Sequence, residues 1–464
     1  MTRDVPPAAT PPFPAAARRL TALLATAVAL AATGCAQAPA EPAPAPPPII
    51  VFDVDTLRAD HLGCYGYRRD TSPHIDRFAA RAVRFEWAFS QAPTTPPSQA
   101  SILTGLYPSS HGLLGHEYRL GEEIVTLAET LRARGYATGG FVDGGYMNPD
   151  FGLGQGFDRY DNSRGRGLKR IAPRAMHWLR RHASRPFLLL IHTYDVHTPY
   201  APPEPYRSRF LEGIERSTPG FEPTVEEMEA VRMSKYGDEP RTLSPGDLAY
   251  AEALYDGGIA FVDAWFGELL AYVDWLGLGE RAVIVLISDH GEEFQEHGSV
   301  LHEKLYATVT RIPLLIRLPG RGAAVHSEIV ESIDLTPTLL ELAGAPAPRG
   351  LEGRSLLPLI AGDRLRQAPV AVGESRFFGE QRAVSVGEHR LIYTLGADVA
   401  ELYRFRDDPL EQRDLAAERP GTVARLLGAI RGWDALVSRP PPAERRAVLS
   451  DETRRQLQAL GYLR

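Results

Sequence analysis

The sequence predicts an α/β fold, a largely parallel sheet between layers of helices, followed by a smaller α+β unit. Three short apolar runs carry that prediction: "PIIVFDV" (Pro48–Val54), "PFLLLIHTY" (Pro186–Tyr194) and "AVIVLISD" (Ala282–Asp289). Each is apolar on successive residues and rich in β-branched or aliphatic side chains, the pattern of a strand buried on both faces. Helical patterns lie between them, and strands alternating with helices favour parallel pairing. After about Gly350 the pattern shifts to hairpin signals.

The chain has 464 residues, 44% of them hydrophobic and 23% charged, with a net charge of -7. It is long enough to bury a large core, and it lacks the basic excess that nucleic acid binding requires. Arg18 and Arg19 precede an apolar run, Leu20 to Ala32, that ends in "AATGC" (Ala31–Cys35). A basic start, a short apolar stretch and small residues at the cut describe an export signal. The small residues directly before Cys35 also resemble a bacterial lipobox, with Cys35 as the lipid-bearing residue. An ordinary signal cut nearby is the other reading. "AQAPAEPAPAPPP" (Ala36–Pro48) has little to bury and is kept extended by proline, so it reads as a spacer. The expected organisation is therefore a lipoprotein signal at 1–34, a linker at 35–48, a catalytic domain at 49–350 and a C-terminal subdomain at 351–464. The expected location is outside the cytoplasm, lipid-anchored to a bacterial membrane and facing the periplasm or exterior. Cys35 and Cys64 are the two cysteines, so a lipid on Cys35 rules out an internal disulfide.

Along the catalytic part, "TLAETLRARG" (Thr126–Gly135) reads as a helix closed by glycine. Leu248 to Gly277 has helical apolar spacing, with Gly257-Gly258 marking either a break or a close packing contact. Arg207 to Gly246 is polar and turn-rich, a surface excursion placed to act as a partial lid. "RAVSVGEHRLIYTL" (Arg382–Leu395) reads as a hairpin, and a last helix runs from about Asp451 to Leu460 with Ser450 as its N-cap.

Chemistry gathers at strand ends. Asp55, in "DVDTLRADHLGCYGY", follows the first strand, at the sheet edge where open α/β folds bind ligands. It is either a metal ligand or a helix cap. Asp53 competes with it from two residues deeper, where a charge is harder to accommodate. Asp289 and His290, in "SDHGEEFQEHG", offer an oxygen and a nitrogen after another strand, a pairing that suits a divalent cation. In "APTTPPSQASILTGLYPSSHG" (Ala92–Gly112), Thr95 stands before a Pro-Pro-Ser corner and a helix. There a hydroxyl gains from the helix dipole, and Ser98 is placed to cap that helix. Coordination to a metal would turn Thr95 into a nucleophile. Thr94 is the neighbouring alternative, disfavoured by the register of Pro97-Ser98. His197 and His302 are candidates for contacting substrate oxygens or protonating a leaving group. His192 reads more simply as a buried, hydrogen-bonded histidine.

With these pieces in order, the chain from about Ile49 onward resembles the sulfatases of the alkaline-phosphatase superfamily. The resemblance is carried by "DTLRADHLGCYGY", "TPPSQASILTGLYP", "HTPY", "SDHGEEFQEHG" with "RIPLLIRLPG", "IDLTPTLLELAG", "ELYRFRDDPLEQRDLA" and "LQALGYL". It implies an alkaline-phosphatase-like mixed sheet between helices with a small C-terminal subdomain. It also implies one divalent metal on Asp55, Asp289, His290 and Thr95, with Ca, Mn, Mg and Zn undistinguished. Typical sulfatases place a Cys or Ser, oxidised to formylglycine, where Thr95 stands, and an arginine where Gln99 stands. Threonine cannot yield that aldehyde because its Cβ carries a methyl group. The family's second paired aspartate is Thr56 here, and "FVDGGYM" (Phe141–Met147) replaces an expected Lys-x-His element. Relatives with a threonine nucleophile act on phosphate esters. The expectation is a hydrolase of sulfate or phosphate esters attacking through Thr95, phosphoester chemistry being slightly favoured and phosphotransfer open. Its partner would be an anionic ester on a glycan, lipid or small molecule. The competing expectation is a non-catalytic surface lipoprotein that binds an anionic glycan or lipid headgroup.

Overall fold

The computed structural model describes residues 46–162, 167–237, 239–363, 370–376, 379–437 and 445–459. The segment expected to be an export signal, and Cys35, lie outside the described residues. Strands are numbered in chain order: β1 (Ile49–Val54), β2 (Val83–Phe89), β3 (Ala137–Phe141), β4 (Arg159–Asp161), β5 (Phe187–Thr193), β6 (Val283–Ile287), β7 (Glu293–Phe294), β8 (Val300–Leu301), β9 (Arg311–Arg317), β10 (Ala324–Glu331), β11 (Val370–Ser375), β12 (Gln381–Val386), β13 (His389–Thr394) and β14 (Val399–Tyr403). An eight-stranded sheet has the order β10-β2-β9-β6-β1-β5-β3-β4. Its centre is formed by the three apolar runs, with β1 parallel to both β5 and β6 and every β1 residue buried.

β9 is the exception to parallel pairing. It runs antiparallel to both β6 and β2. Two reversals restore direction, so β2 runs the same way as β1. Its C-terminal end, and the Thr95 loop after it, therefore arrive at the same sheet edge as the C-terminal ends of β1, β5 and β6. This topology assembles the site. The sheet's two faces are covered by separate apolar clusters, one including Phe52, Tyr255 and Phe266, the other Val51, Phe85 and Leu339.

The longest helix, Pro245–Trp275, begins with Ser244 accepting from the Asp247 N–H at 3.1 Å and proline at its first position. It runs unbroken through Gly257-Gly258. A Cβ there would sit 2.6 Å from the Tyr206 carbonyl oxygen at Gly257 and 2.9 Å from that of Asp195 at Gly258. The pair is thus a close packing contact. The Leu127–Ala133 helix opens with a reciprocal capping box between Thr126 and Glu129.

The smaller unit is a four-stranded antiparallel sheet, β11-β12-β13-β14, packed with the helix Pro420–Val437. The expected hairpin is β12–β13. Ser450 does cap the Asp451–Ala459 helix, its hydroxyl accepting from the Thr453 N–H at 3.2 Å. The unit is joined to the large sheet by buried polar bonds. The Glu374 N–H donates to the Gln91 carbonyl at 2.9 Å, and the Val372 N–H donates to Glu331 Oε1 at 2.9 Å. Arg390, 1% exposed, donates to the Leu305 carbonyl at 2.6 Å and to Thr310 Oγ1 at 2.7 Å.

The excursion at 207–246 folds a helix, Val225–Ser234, and is fastened to the β7–β8 hairpin. Lys235 Nζ donates to the His297 carbonyl at 3.0 Å, Tyr236 Oη to Glu303 at 2.8 Å, and the Leu243 N–H to Gln295 Oε1 at 2.6 Å. These bonds clamp the excursion to the hairpin. Among the described residues no helix is long and apolar enough to cross a membrane.

Candidate active site

Thr95 is the first residue of the helix Thr95–Thr104 and is 1% exposed. Its Oγ1 donates to Asp55 Oδ2 at 2.9 Å and lies 3.4 Å from His290 Nε2. Thr94 is the N-cap residue and lines a neighbouring cleft. Ser98 does not cap the helix. Its hydroxyl donates to the Asp289 carbonyl at 2.7 Å and lies 2.9 Å from Ser90 Oγ, tying the Thr95 helix to the end of β6. The reason is local. Pro96 and Pro97 fill the first turn and lack N–H groups, so few donors remain there for a capping hydroxyl to accept from.

The Asp55 N–H donates to the Thr193 carbonyl at 3.0 Å, which fixes the carboxylate at the junction of β1 and β5. Asp289 and His290 follow β6, both fully buried. His290 Nδ1 donates to the Gly291 carbonyl at 3.0 Å, so in the neutral ring Nε2 carries the lone pair toward Thr95 and Asp289. Asp289 Oδ2 is 3.5 Å from that nitrogen. Burial pushes Asp55 well above the usual carboxylate range, and Asp289 adds to the effect. Burial pulls His290 down, but the carboxylates of Asp289 and Asp55 more than reverse it. A cation among these groups would relieve both stresses.

The donor chemistry fits such a cation. Asp55 Oδ1 and Asp289 Oδ2 are buried without a hydrogen-bond partner. One ligand atom from each of Asp55, His192 and Asp289 lies within 4.8 Å of the others. His192 therefore belongs to the cluster and is not the hydrogen-bonded core histidine expected from the sequence, since neither ring nitrogen has a partner. The signal that would have found it is register: β1 and β5 pair in parallel with Asp53 beside His192. Asp53 does not reach Thr95. Its Oδ2 accepts from Gln99 Nε2 at 2.6 Å, and burial raises its carboxyl above the usual range. Thr56 turns away, donating its hydroxyl to the Asp55 carbonyl at 2.8 Å.

His197 and His302 face each other with ring centres 5.2 Å apart, and His302 lies 4.4 Å from the His290 ring. His197 Nδ1 donates to the Thr198 carbonyl at 2.5 Å. Burial, reinforced by His302, lowers His197 to about 3, and burial holds His302 well below the ordinary histidine range. Two residues missed by sequence reasoning complete this rim. Glu292 is fully buried, accepts from Tyr200 Oη at 3.0 Å, and lies 3.0 Å from His302 Nδ1. Burial raises it to about 7 against the pull of His197 and His290. His116, stacked on Tyr146 with ring centres 4.3 Å apart, lines a cleft of about 340 Å³ together with Thr94, Glu117 and Arg376. The β11 edge contributes to that cleft, so the small unit borders the site.

Fold and site define an ester hydrolase of alkaline-phosphatase-like architecture, with a hydroxyl, carboxylates and imidazoles converging at one edge of a mixed sheet. The chain belongs to the sulfatase family. The sulfatase family model matches residues 47–345, and a model described as N-sulphoglucosamine sulphohydrolase, C-terminal, matches residues 295–424. The chain is similar to the multifunctional alkaline phosphatase superfamily protein PehA of Trinickia caryophylli, 26% identical over 394 residues that cover 68% of this chain and 77% of the relative. It is 28% identical to an ulvan-active sulfatase of Formosa agariphila over 353 residues, covering 68% of this chain and 65% of the relative. A phosphonate monoester hydrolase from Silicibacter pomeroyi shares the fold with a TM-score of 0.69 at 20% identity, over 86% of this chain and 97% of that one. Enzymes of this family generally use a divalent metal ion.

Proposed function

We propose that this protein hydrolyses sulfate or phosphate esters by in-line attack of Thr95, with phosphoester chemistry slightly favoured. The observation that carries the reading is the hydroxyl of Thr95 held 2.9 Å from Asp55 beside His290, at the meeting point of three strand ends. Asp55, Asp289, His290 and Thr95 are the proposed holders of one divalent cation, which when bound lowers the proton affinity of the hydroxyl and neutralises charge on the substrate.

Thr95 Oγ1 forms a bond to phosphorus or sulfur while the bond to the leaving oxygen breaks, and its proton is passed along the 2.9 Å hydrogen bond to Asp55. Glu292 and His302 share a hydrogen bond of 3.0 Å, and Glu292 holds its proton to about pH 7. That pair supplies the proton the leaving oxygen needs. His197 contacts the non-bridging oxygens. Water then attacks the Thr95 ester and restores the hydroxyl. This second step favours phosphorus. A formylglycine hydrate can expel sulfate by collapsing to an aldehyde, whereas the methyl-bearing Cβ of Thr95 leaves only direct attack on the ester.

The relatives' names support an anionic ester as substrate: a sulfated or phosphorylated glycan, lipid or small molecule. The proposed location is outside the cytoplasm, with lipid on Cys35 as the anchor. The N-terminal sequence pattern is what supports it.

The test is a panel of nitrophenyl sulfate, phosphate, phosphate diester and phenylphosphonate, assayed with wild type and Thr95→Ala after metal reconstitution. Turnover that disappears in Thr95→Ala is expected. Full activity in that variant would remove Thr95 as nucleophile. Metal binding with no turnover of any ester would favour the anion-binding alternative.

A further inference from the structure

His192 is the most anomalous buried residue near the site. It is 0% exposed, and neither Nδ1 nor Nε2 makes a hydrogen bond. An imidazole always carries at least one N–H and, when neutral, one lone pair, so burying both without partners costs several kcal/mol against an apolar side chain of similar size. The strand around it would accept such a side chain: Phe187 to Ile191 are all buried and apolar. Packing alone therefore does not account for histidine here.

Its surroundings supply a reason. Nε2 lies 3.6 Å from Asp55 Oδ2, and Asp289 completes a triplet with ligand atoms within 4.8 Å of one another. Asp55 Oδ1 and Asp289 Oδ2 are also buried without partners, so every member of the triplet presents an unsatisfied atom. Thr56, where a second aspartate would stand in the typical family pattern, has its hydroxyl turned onto the backbone. Beside Asp55 the site therefore has no oxygen donor from Thr56, and the adjacent strand presents the His192 nitrogen instead.

We propose that His192 is a ligand of the site's cation, and that its second imidazole nitrogen biases the site toward a d-block ion such as Zn²⁺ over Ca²⁺ or Mg²⁺. Carboxylate and carbonyl oxygens suit the alkaline-earth ions, whereas imidazole adds affinity for zinc-like ions and little for calcium. The inference rests on the proposed metal role of Asp55 and Asp289.

The test uses the chelator-stripped protein and competition against a fluorescent indicator for Zn²⁺, Mn²⁺, Mg²⁺ and Ca²⁺. It compares wild type, His192→Leu and Asp289→Asn. Losing an outer-shell partner costs roughly 10–100-fold in metal affinity, so His192→Leu should lower Zn²⁺ affinity by at least about tenfold. Ca²⁺ affinity should stay nearly constant, so the Zn²⁺ to Ca²⁺ ratio falls. The visible spectrum of the Co²⁺-loaded protein should change with the loss of nitrogen. The metal-free His192→Leu protein should unfold at no lower temperature than metal-free wild type, because the imbalance it removes is present without the ion. His192→Gln is the fallback if the leucine variant does not fold. Unchanged Zn²⁺ affinity and ratio in the His192 variant, with binding lost in Asp289→Asn, would overturn this inference alone. Unchanged binding in both variants would overturn the cation site itself.

Discussion

Replacing Glu411 with glutamine should flatten one segment of the protein's stability profile against pH. Glu411 is 1% exposed, and its Oε2 accepts from the Ala307 N–H at 2.8 Å. Arg390 Nε lies 3.4 Å from its Oε1. Burial raises the carboxyl from 4.5 to about 7, and Arg390 only partly opposes the rise. Between those two pH values the folded chain holds a proton that the unfolded chain releases. Stability from this group is therefore complete below about pH 4.5, declines as pH rises, and is lost above about 7. A tenfold change in proton affinity is about 1.4 kcal/mol, so the whole decline is about 3 kcal/mol. The assay is urea unfolding of wild type and Glu411→Gln at pH 5, 6, 7 and 8. Other raised carboxyls contribute the same slope to both proteins, so the informative quantity is the difference between them. Glu411→Gln should gain relative to wild type by roughly 2–3 kcal/mol on going from pH 5 to 8. A difference that stays constant across that range would refute the reasoning.

Three further outcomes follow from contacts already described. Gly258→Ala places a Cβ 2.9 Å from the Asp195 carbonyl oxygen. It should cost about 1–3 kcal/mol by thermal denaturation and slow turnover through the displaced His197 segment, with metal content unchanged. His302→Gln should slow the hydrolysis of alkyl esters on the order of 10²–10⁴-fold while leaving nitrophenyl esters little affected, because only a poor leaving group needs its proton. Equal losses on both substrates would remove the acid role. Burial, with Asp76 beside it, pushes the Cys64 thiol from 9.0 up to about 12. Alkylation of the native protein at pH 8, followed by mass spectrometry, should run about 10³-fold slower at Cys64 than at a free thiol.

The central strands were legible because a strand buried on both faces must be apolar at successive positions, and β1, β5 and β6 are. Asp55, Thr95, Asp289 and His290 were legible because each stands just past a strand or before a helix, where local sequence marks the sheet edge. His192 was not. It lies inside an apolar run, and its partners are Asp55 and Asp289, each about a hundred residues or more away in the chain. Only the pairing register brings them together. Glu292 was hidden for a different reason: in "HGEEF" it is one of two adjacent glutamates, and nothing local says which one faces His302. Ser98 was misread because a serine after two prolines has the form of a cap, whereas the helix had already begun at Thr95. The family resemblance implied a mixed sheet without saying which strand is reversed, and "RIPLLIR" carries no mark of the direction of β9.

Gly257 and Gly258 form a shallow saddle on the longest helix, and one stretch of backbone crosses it twice, at Asp195 and again at Tyr206. Upstream of the first crossing the chain has just left His192; between the crossings it carries His197; beyond the second it becomes the excursion fastened to the hairpin that ends at His302. These parts share one foundation, so a side chain added at the saddle would displace the chain on both sides of His197 together. The cleft beside His116 and Arg376 is bordered by Thr94 and by Pro97 of the Thr95 helix.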